Sequence, residues 1–469
     1  PSGYIALNLV IHAAVTALAF IVLLQLGSGL YGATAGALLF GLHPVHSEVI
    51  NFVSARSESL AAGFMLLSFA AYLKATQPAD SRISVFSERY RALSVLALGL
   101  GLLCKATAIA LPAILFCYSW LRHRSRWSWL DLARAQLAHW VVTALYVISY
   151  FLLSSQSVDR ASVVRSATSQ MATQAKALVH YLKLSVMPTE LTVYHQFFIS
   201  DTPIEWAPFL GLLVGLSLIV PFVLLSRRNW LAGFGVVWFF LALLPSLVVP
   251  LNLAVNDHRL YLALLGPVVS LAALTKGHRL TVGLAMVGIL FAVLAAKQDD
   301  VWKDELSLWD HAASRAPLMP EAHYNLAVEY HEMGDLHRAR LSYEDAVRLD
   351  SAYGEAQANL ASIYRAAGEL EKAESALRAA LAAEPDLPGA LNSFGLLLMD
   401  QGQLERAEQV FRRILAADPE VAEAHFNLGL IYRDMRKPDQ AVRHLNRAVE
   451  LKPELKHSTV DSRRDSTAL

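Results

Sequence analysis

The feature that most constrains this chain is a series of long apolar runs across residues 1–298, separated by short polar connections. In a bilayer every backbone N–H and C=O must be satisfied internally, so only helices or closed barrels cross it. Runs such as Tyr4 to Leu26 are long enough to cross a hydrocarbon core of about 30 Å as helices, at about 1.5 Å per residue. The ten predicted spans are 5–26, 30–44, 57–74, 92–104, 107–121, 136–154, 207–226, 230–250, 259–275 and 280–296. The second, fourth and fifth are short, as tilted, broken or half-buried helices would be.

Composition separates two solvents. The chain of 469 residues is 55% hydrophobic and 17% charged, against about a quarter charged in ordinary soluble domains. The deficit lies before Asp299, and charge is dense after it. The formal net charge of zero gives no electrostatic case for nucleic acid as a partner. Cys104 and Cys117 both sit in apolar runs and make neither a disulfide framework nor a metal-ligand spacing. The opening "PSGYIALNLVIHAAV" has no charged leader of the signal-peptide kind and reads as the start of a fragment of a longer protein.

Basic residues recur at every second connection: Lys74, Arg82, Arg89 and Arg91; Arg122, Arg124, Arg126 and Arg134; Arg227 and Arg228; Lys276 and Arg279. The positive-inside rule puts these in the cytoplasm. Everything after Ala296 is then extracytoplasmic. The other face collects "HPVHSEVINFVSARSE", the turn around Lys105, the connection 155–206 with "HYLKLSVMPTELTVYHQFF", and "NLAVNDHRLYL" with Asn256, Asp257, His258, Arg259 and Tyr261. Polar groups at the edge of lipid are expensive and mark function. A single helix-end His or Arg is ordinarily a snorkelling or capping group; four polar patches on one face predict a membrane-surface site. Asn8 and His12, four apart, share one helix face and predict interhelical hydrogen bonding.

From residue 320 the sequence repeats. Segments beginning at Pro320, Gly354, Pro388 and Ala422 follow one another at the tetratricopeptide spacing of 34 residues. Leu326, Leu360, Phe394 and Leu428 share a slot; Ala327, Ala361, Gly395 and Gly429 share the small slot beside it. Gly334, Gly368 and Gly402 mark the helix–helix turn, where the fourth repeat has Arg436 before Lys437-Pro438. Pro385, Pro419 and Pro453 close repeats two to four. "DELSLWDHAASRAP" fits a preceding half repeat, so the predicted domains are 1–298 (membrane), 299–319 (junction and half repeat), 320–453 (four repeats) and 454–469 (a disordered tail). The half repeat predicts a solenoid tied closely to the last span. Such arrays present a groove to peptides or proteins, and this one carries no catalytic constellation.

The order of spans then repeats resembles the transmembrane-and-tetratricopeptide O-mannosyltransferases, polytopic glycosyltransferases of the C-type fold. The matching stretches are "GYIALNLVIHA", "LFGLHPVHSEVI", "LLCKATAIALP", "DHRLYLALLG" and "WKDELSLWDHAASRAP". Ala106 stands where the family more often has an acidic residue after the Lys. The resemblance implies an all-α polytopic domain with an α-solenoid, and transfer of a sugar, mannose in the family, from a polyprenyl or dolichyl phosphate. The acceptor would be Ser or Thr of a protein held by the repeats. It places the main catalytic Asp in a loop between the first two spans, upstream of Pro1. Here His43, His46, Glu48 and Arg56 would form one wall of the sugar-phosphate site. Arg259 would take the phosphate, with Lys105 and Tyr261 assisting. Glu48 would serve as an acid–base group or as a support for His46 or Arg56. His46 and Glu48 are two ligands, too few to define a divalent metal site. The repeats would lie in the bacterial periplasm or the endoplasmic reticulum lumen. Two alternatives stand beside this reading: a non-catalytic membrane-anchored scaffold, and a transferase acting on a glycan or lipid.

Overall fold

The computed structural model describes residues 2–76, 84–123, 128–154, 166–199, 209, 219–248 and 255–456. Every regular element among them is helical. The chain divides into two compact units at Ser307/Leu308.

In the first unit, α1 (Ser2–Gln25) is apolar all round except for the stripe Asn8, His12, Thr16. That stripe faces inward, with Asn8 and His12 buried, while Leu7, Leu9 and Val10 are exposed. An apolar outward face fits lipid as the solvent. The same holds for α7 (Trp129–Ser154) and α13 (His278–Asp299), whose outward Leu145, Leu153, Met286 and Ile289 are exposed. Among the described residues, three helices, Gly3–Gln25, Trp129–Leu153 and His278–Asp299, are long and apolar enough to cross a membrane. The protein is a membrane protein.

The other elements are α2 (Gly29–Gly41), α3 (Ser47–Asn51), α4 (Arg56–Ala75), α5 (Ser84–Cys104), α6 (Leu111–His123), α8 (Ala167–Val186), α9 (Ile219–Arg228), α10 (Trp230–Val248), α11 (Leu260–Ala263) and α12 (Leu265–Leu274). Helix α4 is central, packing on α1 and α5 and burying Met65, Leu66 and Phe69. Polar side chains pin it: Ser68 and Ser94 exchange hydrogen bonds, Ser94 Oγ meets His139 Nε2 at 2.8 Å, and Tyr72 Oη meets Ser119 Oγ at 2.8 Å. Helices α10 and α12 approach through Gly235 and Gly266, where an added Cβ would lie 2.3 Å and 2.5 Å from the facing glycine's carbonyl oxygen.

Several elements differ from the expected spans, for local reasons. The run at 30–44 gives only the 13 residues of α2. Pro44 holds His43 extended at φ −70°, ψ 127°, and the chain then makes a 3₁₀ turn (Pro44–His46) before α3. The run at 107–121 begins as a 3₁₀ turn (Ala106–Ala110) behind extended Lys105. The run at 259–275 is divided into a 3₁₀ turn (Asp257–Arg259), α11 and α12, near Pro267, whose ring nitrogen cannot donate. The connection 155–206 contains the 20-residue helix α8. Most of the run at 207–226, with Arg82, Arg124, Arg126 and the tail beyond Lys456, lies outside the described residues.

The second unit is an α-solenoid. Helix α14 (Glu305–Arg315) precedes four helix pairs: α15 (Pro320–Glu332) with α16 (Leu336–Leu349), α17 (Gly354–Ala366) with α18 (Leu370–Ala383), α19 (Pro388–Asp400) with α20 (Leu404–Ala417), and α21 (Ala422–Asp434) with α22 (Pro438–Leu451). The small slot has a steric cause: a Cβ on Gly395 would lie 2.6 Å from Phe411, and one on Gly429 2.6 Å from Leu445. The turns of the first three repeats put Gly334, Gly368 and Gly402 at φ 78°, 76° and 70°. The fourth places Arg436 there, at φ 57°.

Candidate functional site

The broken connections of the first unit are held by several sets of polar contacts. Asn8 of α1 donates from Nδ2 to Ile50 O at 2.9 Å and accepts from Arg56 Nε at 2.7 Å. His12, one turn on, joins Tyr261 Oη through Nδ1 at 2.8 Å and Gly41 O through Nε2 at 3.0 Å. Asn8 therefore ties α1 to α3 and the start of α4, and His12 ties it to the end of α2 and to α11.

Glu48, 4% exposed, is engaged by His258 twice: Oε1 meets Nδ1 at 2.9 Å, and Oε2 accepts the backbone N–H at 3.1 Å. That geometry makes Glu48 a positioning group for His258 and its turn. Arg259 follows, buried to 9% exposure and close to the Tyr181 hydroxyl, which accepts from Asn256 N at 3.3 Å. Lys105 Nζ stands 3.5 Å from Glu58 Oε1, and Thr107 Oγ1 donates to Glu58 Oε2 at 3.2 Å. Lys105 remains about a third exposed, so it combines charge with access. Asn51 Nδ2 donates to Asp299 Oδ1 at 3.0 Å, drawing in the end of α13.

Three expected phosphate contacts occupy interior positions. Tyr261 is 1% exposed with its hydroxyl taken by His12. His46 is 1% exposed, its ring 4.5 Å from Tyr261 and 4.7 Å from Phe40. His43 closes its own turn by accepting Val45 N–H at 3.3 Å and meets Ser185 O at 3.3 Å. These rings back the site. His43 also lines an apolar cavity of about 270 Å³ with Phe40, Leu182, Leu264, Leu284 and Phe291. The cationic side chains in these segments each have a protein neighbour: Lys105 stands by Glu58, Arg56 by Asn8 and Arg259 by Tyr181.

Beyond these, the structure gathers His180, His195 and Asp257. His195 Nε2 meets Asp257 Oδ1 at 2.7 Å, and Asp257 Oδ2 accepts Thr192 N–H at 3.2 Å. Burial opposes charge on His195, but the Asp257 carboxylate outweighs it and raises its pKa. Burial, with the neighbouring His195, pulls His180 down to about 4. No spacing rule links positions 180, 195 and 257; only the polar flavour of their two segments marked them in the sequence. The pair His46 and Glu48 gains no third ligand; the His180–His195–Asp257 group is the metal-competent cluster among the described residues.

A helical membrane unit followed by a helical-repeat unit defines the class as a membrane-anchored repeat protein. Tetratricopeptide-repeat family models match residues 330–391 and 393–455. Residues 330–455 thus carry tetratricopeptide repeats, and parts of the chain are similar to protein O-mannosyl-transferases. It is 31% identical to human protein O-mannosyl-transferase TMTC4 over 122 residues, 23% of this chain and 16% of that protein. It is 23% identical to protein O-mannosyl-transferase F38B6.6 of Caenorhabditis elegans over 383 residues, 75% of this chain and 51% of that protein. The matched part thus spans about half or less of these relatives' length. Among solved structures, the tetratricopeptide protein TTC0263 of Thermus thermophilus is 23% identical, covering 40% of this chain and 96% of its own, with a TM-score of 0.31.

Proposed function

We propose that the protein is a glycosyltransferase that moves a sugar, mannose by the names of its relatives, from a polyprenyl or dolichyl phosphate to Ser or Thr of a protein. The observation that carries this reading is the Glu48–His258 joint, which brings residues 43–58 and 255–259 together beside Arg259. Arg259, with Lys105 and Arg56, takes the donor phosphate, because a planar guanidinium matches phosphate oxygens in pairs. The apolar cavity beside His43 takes part of the lipid chain. In the reaction the acceptor hydroxyl attacks the sugar's anomeric carbon and gives its proton to a carboxylate. The carbon–oxygen bond to phosphate breaks, and the cationic groups stabilise the leaving phosphate. Glu48 positions this machinery through His258. The repeats, on the extracytoplasmic side, hold the acceptor and raise its effective concentration.

The test supplies labelled mannosyl polyprenyl phosphate and a Ser/Thr-rich protein acceptor to the full chain in liposomes, beside a chain lacking residues 320–451. Label entering the acceptor only when the repeats are present supports the proposal. Equal transfer without them points to a glycan or lipid acceptor. A chain that binds the acceptor but not the donor is a scaffold.

A further inference from the structure

We infer that His180, His195 and Asp257 bind a divalent transition-metal ion of the zinc class. Two imidazole nitrogens and one carboxylate oxygen form the donor set that Zn²⁺ takes in open, three-ligand sites, where a fourth position is left for a non-protein ligand. The ligand atoms come from three separate pieces of chain: the last turns of α8, the extended segment after it, and the turn before α11. They lie within 4.8 Å of one another.

A simple hydrogen-bonded pair does not account for the arrangement. His195 and Asp257 already satisfy each other at 2.7 Å. His180 is added to that pair, its ring centroid 4.6 Å from His195, with Nε2 buried and without a hydrogen-bond partner among the described residues. A buried ring nitrogen without a partner carries a desolvation cost that calls for an explanation. Coordination supplies one.

The surroundings are arranged for a ligand. The Thr192 N–H occupies Asp257 Oδ2 and leaves Oδ1 turned toward the two histidines, the kind of outer contact that orients a metal-bound carboxylate. Tetrahedral zinc sets its ligand atoms about 3.4 Å apart. The observed separations, from 2.7 Å up to a limit of 4.8 Å, bracket that value. Small side-chain movements therefore complete the site. The ion would sit two residues from Arg259, adding positive charge beside it and clasping the segment after α8 to the α11 turn.

This inference stands on its own geometry and not on the transferase reading, and the probe is the metal alone. The full chain in detergent, stripped with a chelator, is titrated with Co²⁺. We expect the visible absorption of low-symmetry Co²⁺, reaching one ion per chain and displaced by Zn²⁺. His180→Ala removes a side chain with no protein hydrogen bond at Nε2 and should fold. It should weaken binding by more than the roughly 10- to 100-fold that losing an outer-sphere partner costs. His195→Ala should do the same, and His425→Gln, in the repeats, should change nothing. Absence of the absorption band overturns the inference, as does equal affinity in the wild type and both alanine variants.

Discussion

Glu48 and His258 lie 210 residues apart, yet both carboxylate oxygens of one are held by the other, at 2.9 and 3.1 Å. This joint fixes the α3 connection to the turn before α11. Glu48→Ala leaves a half-buried imidazole without its acceptor, while the His258 N–H keeps only Asn256 Oδ1 at 3.2 Å. It should cost about 1–3 kcal/mol in denaturant unfolding of the detergent-solubilised chain. Glu48→Gln keeps an acceptor and should cost less.

The glycine approach between α10 and α12 is equally specific. Gly235→Ala pushes a methyl to within 2.3 Å of Gly266 O and should destabilise by about 1–3 kcal/mol or more. Gly99→Ala, with nothing within 4 Å of the new methyl, should leave stability within about 1 kcal/mol or raise it. Paired thermal unfolding curves distinguish them.

In the repeats, Arg436 sits at φ 57° where its three counterparts are glycine. A left-handed non-glycine residue costs about 1–2 kcal/mol. Arg436→Gly should raise the stability of the repeat unit by up to about 1 kcal/mol, offset in part by backbone entropy. Gly368→Ala should lower it. Hydrogen exchange of α18 and α22 reads both.

Glu369 links the first two repeats, accepting from Arg340 Nη1 at 2.6 Å while Lys372 holds its other oxygen. The Lys372 ammonium, then the Arg340 guanidinium, keep its carboxyl below the ordinary 4.5. Its stabilising contribution is therefore complete above that pH and fades as acid drives the folded-state carboxyl to protonate. Glu369→Gln should flatten the acid side of the repeat unit's stability–pH curve below about pH 4.5 and leave the slope above it unchanged.

The repeats were legible because each copy must solve one packing problem at one spacing: Ala327, Ala361, Gly395 and Gly429 are small because Phe411, Leu445 and their equivalents fill the space opposite. The membrane unit was legible as apolar runs but less so as elements. Hydropathy does not register that Pro44 holds His43 extended, or that Asn256 caps a turn by accepting His258 N–H at 3.2 Å. Glu48, Arg56, Lys105 and Arg259 stand out in the sequence as charges at span ends. Their partners Asn8, Glu58, Tyr181 and His258 are chosen by tertiary contact, which no local period encodes. His46 and Tyr261 look like site residues in sequence and are core rings in space, because a polar tip says nothing about which way its ring is packed.

The central claim is that the connection ends of this helical unit form a receptor for an anionic lipid headgroup. The most direct measurement is the affinity of the full chain for mannosyl polyprenyl phosphate, compared with Arg259→Ala and Arg91→Ala, the latter an exposed residue far along α5 from Lys105. Loss of a charge-assisted phosphate contact is worth about 1.5–3 kcal/mol, so Arg259→Ala should weaken binding roughly 10- to 100-fold while Arg91→Ala leaves it unchanged. Equal affinity in all three proteins would contradict the account.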